Sequence, residues 1–437
     1  MKILMYGWEF PPHISGGLGV ACFGLTQALR NRGHEVTFVL PRLKEGMETS
    51  SHVNLIGVTQ YVKSLAQPSR MVDIDTTGFI EGIQVREIDS LIRPYITEKE
   101  YLVELSRIEE RRKTQRREMG RWYDLAVSGD YGPNLMAEVV RYAQVAGAIA
   151  AEVPHDVIHA HDWLTMLAGV EAKRVSGRPL AVHVHALEFD RSGQHVNQAV
   201  YDIEKFGMER ADRVIAVSHY TREIILKRYG IEPSKVEVVH NAITRKHTPI
   251  PLRDRDEKRE KVVLFLGRIT FQKGPDYFVE AAAEVLKHRK NVRFVMAGSG
   301  DMASRMIQRV AQLRMGRKFH FTGFLTGAAV ERMYLLSDFY VMPSVSEPFG
   351  ISPLEAMCYD VPVIISRQSG VSEVLKHALK VDFWDIHELA GKIIALLDHP
   401  PLREELLRQG ARELEGIQWD NAGRKLTEIY GQITHAS

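Results

Sequence analysis

The stretch "SEPFGISPLEAMCYDVPVI", Ser346 to Ile364, sets two carboxylates, Glu347 and Glu355, eight positions apart. Glu347 abuts Pro348 just ahead of Phe349 and Gly350, so it sits on a rigid turn; Glu355 falls inside a helical pattern. Carboxylates placed this way can do acid–base work, hold hydroxyls or offset positive charge, although an isolated pair is more often a loop acid and a surface acid. Cations stand nearby in type. "LGRITFQKGPD" puts Arg268 and Lys273 directly after an apolar run, flanking a turn as a phosphate clamp would. Backbone N–H groups around Ile351 and Ser352 open a helix and can meet a phosphate, as can those of "HISGGLGV", where Gly16 and Gly17 lead into the first helix. The latter is a poor dinucleotide fingerprint. Cys22 stands where the third glycine belongs, and the loop from Gly7 to Gly16 is too long for a tight turn.

Histidines gather at two other strand ends. In "HAHDW" strand alternation points His159 and His161 to one face and Asp162 to the other. A metal site would need a further matched ligand pair, so no metal is expected. In "HVHALEFD" His183 reads as a core histidine and His185, at the strand tip, as the one facing a cleft.

These residues need elements to hold them. "KILMYG", "EVTFVL", "DVIHAHD", "LAVHVHA", "RVIAVS" and "VEVVHNA", then "KVVLFLG", "VRFVMAG", "KFHFTG", "FYVMPS" and "PVIIS", are near-continuous apolar runs separated by helical patterns. That is the signature of parallel sheets covered on both faces, an α/β fold. In such sheets ligands bind beyond the carboxyl ends of the strands, which is where the ionisable residues lie. The segment "TRKHTPIPLRDRDEKREK" lacks apolar periodicity and reads as a linker. It divides the chain into Rossmann-like halves at 1–245 and 246–417, with a tail helix at 418–437 that joins the first domain. Ala21, Leu25, Ala28 and Leu29 make the buried stripe of the first helix, which stops at Gly33. Residues 98–121 read as one long helix whose mixed charges make a solvated face.

Composition narrows the class. Lys+Arg 57 against Asp+Glu 55 leaves a charge of +2 over 437 residues, which removes any global electrostatic reason to expect nucleic acid. Cys22 and Cys358 fit no disulfide or ligand spacing. The opening segment is too short for a signal sequence and no stretch approaches a membrane span, so a soluble cytoplasmic protein is expected.

The ordered set "SGGLGV", "HAHDW", "VHALEFD", "VSHYTREI", "VHNAI", "GRITFQKGPD", "AGSGD", "EPFGISPLEA", "SGVSEV" and "WDNAGRKLTEIY" resembles the retaining glycosyltransferases of GT-B architecture, and within them the glycogen/starch synthases. The resemblance implies two Rossmann-like domains facing a cleft, a nucleotide sugar (ADP-glucose or UDP-glucose) as donor and an α-glucan as acceptor. It implies no cofactor and no metal. Glu347 would face the transferred sugar and Glu355 the nucleotide ribose. Arg268 and Lys273 would neutralise the departing pyrophosphate. Gly16 and Gly17, with Gly350, Ile351 and Ser352, would lie against the donor. Asp162 and His185 would sit near sugar and acceptor, and Asn241 near the cleft. A related reading has the same architecture acting on a small sugar, sugar phosphate or lipid. The chain departs from bacterial glycogen synthases at Ile14, where they carry lysine, at Val20, and in "NAIT" at Asn241 to Thr244.

Overall fold

The computed structural model describes residues 1–12, 16–43, 52–65, 135–193, 195–244 and 259–435. The expected helix at 98–121, Ile14 and most of the linker lie outside the described residues.

Seven strands form the first sheet: β1 (Lys2–Tyr6), β2 (Glu35–Leu40), β3 (Asn54–Gly57), β4 (Val157–His161), β5 (Leu180–Val184), β6 (Arg213–Ala216) and β7 (Val236–Val238). Their order is β3-β2-β1-β4-β5-β6-β7, and all pairs are parallel. Six strands form the second: β8 (Lys261–Leu266), β9 (Val292–Ala297), β10 (Phe319–Gly323), β11 (Phe339–Met342), β12 (Val363–Ser366) and β13 (Leu379–Val381). Their order is β10-β9-β8-β11-β12-β13, again parallel throughout. Each half is therefore a Rossmann-like sheet whose order reverses once, between β1 and β4 in the first and between β8 and β11 in the second. A crevice opens at each reversal, because the connections on its two sides run to opposite faces.

Buried side chains alternate between the two faces of each sheet. In β4 and β5, Ile158, Ala160, Leu180, Val182 and Val184 join the core under the helices Leu135–Glu152 and Trp163–Ser176. Val157 and Ala181 join the opposite core, under the helix Gly17–Asn31. That helix buries Ala21, Leu25, Ala28 and Leu29, and Gly33 follows it with φ +78°. The same core holds Trp419, Ala422, Leu426, Ile429, Tyr430 and Ile433, so the helix Trp419–His435 packs on the first domain although it follows the second in sequence. The contact is close. A Cβ on Gly24 would meet the Trp419 ring at 2.2 Å, and Asp420 pairs with Arg32 at 2.7 Å. Among the described residues no helix is long and apolar enough to cross a membrane.

Candidate active site

The second domain's crevice collects the expected acid and cations. Beyond β8 come Arg268 and the short 3-10 turn Phe271–Lys273; beyond β11 comes the loop bearing Glu347. The two meet. Lys273 Nζ donates to Glu347 Oε2 at 2.5 Å, Ser344 Oγ donates to the same oxygen at 3.0 Å, and the Glu347 side chain is only 8% exposed. Arg268 is anchored sideways, donating through Nη2 to Gln272 Oε1 at 3.1 Å. Only Lys273 of the expected clamp is thus paired with the acid. The loop is stiffened by its backbone: Glu347 N donates to Gln368 O at 3.0 Å and Gly370 N to Glu347 O at 2.9 Å. Gly350 takes φ +98°, and a Cβ there would lie 3.1 Å from Glu347 Cγ. Glycine lets the chain turn under the carboxylate without pushing it.

Glu355 stands on the helix Ser352–Cys358, where Tyr334 donates its hydroxyl to Oε2 at 3.0 Å. Ile351 is the N-cap of that helix and Ser352 its first residue, so their amides head it.

On the first-domain side, Asp162 directly follows β4 and is the N-cap of the next helix with φ +58° and ψ 174°, a conformation strained for any residue but glycine. What holds it is visible: Oδ1 accepts His185 N at 2.6 Å and Ala186 N at 3.2 Å, and Asp162 N donates to His183 O at 2.9 Å. Burial pushes the carboxyl up to about 6, against the pull of Arg191 and the two amides. His185 lies beside it, with Nε2 3.0 Å from His161 Nδ1, and desolvation keeps its ring neutral. Asn241 is buried, with no partner for Oδ1 among the described residues. Gly16 is the N-cap of the first helix and Gly17 its first residue, and among the described residues nothing lies within 4 Å of a Cβ placed on either.

Hydrogen bonds carry the Glu347 loop across to the first domain. Ser346 Oγ donates to Asp190 Oδ1 at 2.5 Å, and the Tyr220 hydroxyl lies 3.0 Å from Ser346 Oγ. Ser218 Oγ donates to Pro348 O at 2.6 Å. Glu373 accepts His219 N at 2.9 Å and Tyr220 N at 2.7 Å, and pairs with His240 at 2.9 Å. Asp190 itself belongs to a short helix, Glu188–Ser192, held by Arg191, whose guanidinium reaches Glu204 at 2.5 Å and Glu188 at 3.2 Å. Sequence reading left Ser344, Ser346, Tyr220 and Glu373 without roles. Tyr220 and Glu373 do lie in the quoted motifs "VSHYTREI" and "SGVSEV", but nothing in their spacing shows that they face each other.

Two buried carboxyl-bearing crevices, one with a lysine-held acid and one with a strained aspartate, are bridged by a hydrogen-bonded loop. Such an arrangement can hold a polyhydroxylated, phosphate-bearing ligand out of water.

Known proteins share this layout. Residues 16–242 match the glycosyl transferase 4-like domain family and residues 252–413 the glycosyl transferases group 1 family. An uncharacterised glycosyltransferase of Methanocaldococcus jannaschii is 28% identical over 98% of both chains. The glycogen synthase of Mycobacterium tuberculosis is 24% identical over 98% of this chain and 94% of its own, and the D-inositol 3-phosphate glycosyltransferase of Rhodococcus erythropolis is 28% identical over 66% and 71%. Sucrose-phosphate synthase from Thermosynechococcus elongatus superposes with a TM-score of 0.65 at 19% identity, covering 100% of each chain. Anabaena HepE, solved in complex with UDP-glucose, gives 0.67 at 17% identity, covering 99% of this chain and 100% of its own. At those identities the structures establish the common fold, the two-domain GT-B architecture.

Proposed function

Because this chain belongs to the glycosyl transferase 4-like family, with a group 1 glycosyl transferase domain behind it, we propose that it transfers glucose from ADP-glucose or UDP-glucose to the non-reducing end of an α-1,4-glucan with retention of configuration. One observation carries the chemistry: Glu347 is buried at the carboxyl end of β11, held by Lys273, in a loop tied to the first domain through Ser346.

The donor's pyrophosphate lies by the amides of Ile351 and Ser352, beneath Gly16 and Gly17, and its ribose hydroxyls reach Glu355. As the bond from the sugar C1 to the phosphate oxygen breaks, its electrons leave with the nucleoside diphosphate. Lys273 and Arg268 follow that growing negative charge. Glu347, freed of its lysine, faces the positive charge left on the sugar ring. The acceptor hydroxyl oxygen bonds to C1 from the same face, and its proton passes to the departing phosphate oxygen. Asp162 offers Oδ2 to a sugar hydroxyl, since both amides fall on Oδ1, and neutral His185 can donate to another. Asn241 closes the cleft. The scheme needs neither metal nor cofactor.

The glucan acceptor is supported by the span of the glycogen synthase likeness, 98% of this chain against 66% for the inositol phosphate enzyme. A small sugar-phosphate acceptor is the second reading, favoured by the same inositol phosphate relative. Incubation with a panel of nucleotide sugars, each with glycogen or with inositol phosphate and simple sugars, separates the two by nucleotide release. Turnover with small acceptors and none with glycogen would overturn the first.

A further inference from the structure

Behind Asp162 lies a feature the transfer reaction does not use. His159 and His161 sit two apart on β4 and His183 and His185 two apart on β5, and the register pairs His161 with His183. Side chains two apart on a strand share a face about 6.6 Å apart, and neighbouring strands lie about 4.8 Å apart, so four imidazoles converge on one patch. Their rings stack, with centroids 4.4 Å apart for His159 and His161 and 4.3 Å for His183 and His185.

Three of the four, His159, His161 and His183, are wholly buried at 0% exposure. Imidazole is the commonest nitrogen ligand of zinc, and at pH 7 its ordinary form is the neutral lone-pair donor. Their nitrogens divide in a telling way. His159 Nδ1 bonds the Tyr430 hydroxyl and His161 Nδ1 bonds His185 Nε2. That leaves Nε2 on each, together with both nitrogens of His183, buried with no partner among the described residues. Orphaned buried polar atoms are rare enough to require an explanation.

We infer that His159, His161 and His183 form a site for one divalent transition-metal ion of zinc type, set in the scaffold beneath the catalytic cleft. One nitrogen from each of the three lies within 4.8 Å of the others. Zinc–nitrogen bonds of about 2.0–2.1 Å in tetrahedral geometry place ligand nitrogens about 3.4 Å apart, so to bind the ion the stacked rings must turn out of parallel and bring their nitrogens up to about 1.4 Å closer. Neutral imidazoles bind without losing a proton. The outer partners are also in place: with its proton on Nδ1, His159 donates to Tyr430 and His161 to His185, which turns each Nε2 lone pair inward, the usual second-layer arrangement of ligating histidines. Sequence reading dismissed a metal for want of a further ligand pair; the parallel pairing of β4 with β5 supplies the third histidine. The ion would fasten β4 to β5 directly under strained Asp162.

The test uses untagged full-length protein made in zinc-containing medium and dialysed against EDTA, with metal content read by mass spectrometry. The dialysis strips open sites such as His219, His240 and Glu373. About one zinc per chain is expected to remain, and protein made with cobalt(II) should show the visible d–d bands of a four-coordinate ion held by the three imidazoles and one water. His183→Asn should lose the metal while keeping its circular dichroism. Tyr430→Phe should lose its zinc to EDTA about ten- to a hundred-fold faster than wild type. Less than about a tenth of an ion per chain in the wild type, or an unchanged content in folded His183→Asn, overturns the site. If His183→Asn does not fold, the wild-type content and the cobalt spectrum decide. None of these readouts depends on transferase activity.

Discussion

Glu347→Gln keeps the shape of the side chain and removes its charge. In the resting site that charge is matched by Lys273 at 2.5 Å and a hydroxyl from Ser344 at 3.0 Å. Glutamine can still accept both bonds through its amide oxygen, so the fold should lose only the charge-assisted part. With Lys273 21% exposed, that amounts to about 1–3 kcal/mol. The reaction loses more. If the developing charge on the sugar ring lies about 4 Å from the carboxylate, the attraction is about 4 kcal/mol at an effective dielectric near 20. Removing it should lower kcat roughly 10²- to 10³-fold, with donor KM within a few-fold because the pyrophosphate contacts are untouched. Alanine would be a poorer probe, since it strands the lysine in a cavity. Nucleotide release under saturating donor and glycogen gives kcat, and urea unfolding of the free protein gives the stability term. A folded Glu347→Gln with kcat within about tenfold of wild type would refute the assigned role.

Gly350→Ala should cost about 1–3 kcal/mol in urea unfolding, because φ +98° is closed to alanine, and should lower kcat through the shifted Glu347; unchanged stability would contradict the backbone reading. Asp162 has a folded pKa of about 6, raised above its unfolded value, so the folded form holds its proton longer and stability falls as pH rises through 6. Against Asp162→Asn, wild type should lose about 3 kcal/mol in all, roughly half of it between pH 5 and 7.5, and parallel curves would refute the shift. Turnover measured with EDTA present should equal turnover without it, since Arg268 and Lys273 supply the positive charge and the buried histidine site is closed to chelator; an absolute requirement for added Mg²⁺ or Mn²⁺ would refute this. Ile14→Lys should tighten donor binding about ten- to a hundred-fold, for ADP-glucose and UDP-glucose alike, in donor titrations. No gain in affinity, or strict use of one nucleotide, would count against it.

Eleven of the thirteen strands were plain in sequence because both faces of a parallel sheet are apolar, as Val263, Leu264 and Phe265 are in β8 ("KVVLFL"), whereas the short edge strands β3 and β13 were not among the runs read. Strand ends were readable for the converse reason. Arg268, Asp162 and Glu347 are polar residues that interrupt those runs where the chain leaves the sheet. What spacing could not show is which ends meet. Lys273 and Glu347 are 74 residues apart, and their pairing follows from β8 and β11 being neighbours at the reversal of strand order. Ser346 and Asp190, 156 apart and in different domains, carry no mutual signal at all. The histidines are intermediate. Each H-x-H pair announces a shared face, but only the β4–β5 register makes two pairs into one cluster.

The helix Trp419–His435 has a bearing on how the chain is made. Its Trp419 seats on Gly24 and its Tyr430 reaches His159, so the core of the first domain is incomplete until this helix arrives. At 5–20 residues per second, a ribosome needs roughly 10–40 s to pass from the end of the first domain to the end of this helix. Through that interval the face bearing Gly24, Ala28 and Arg32 stands open while the second domain folds beside it. Truncation ahead of Trp419 would make that interval permanent, and the product should be a target for chaperones rather than a stable half-enzyme.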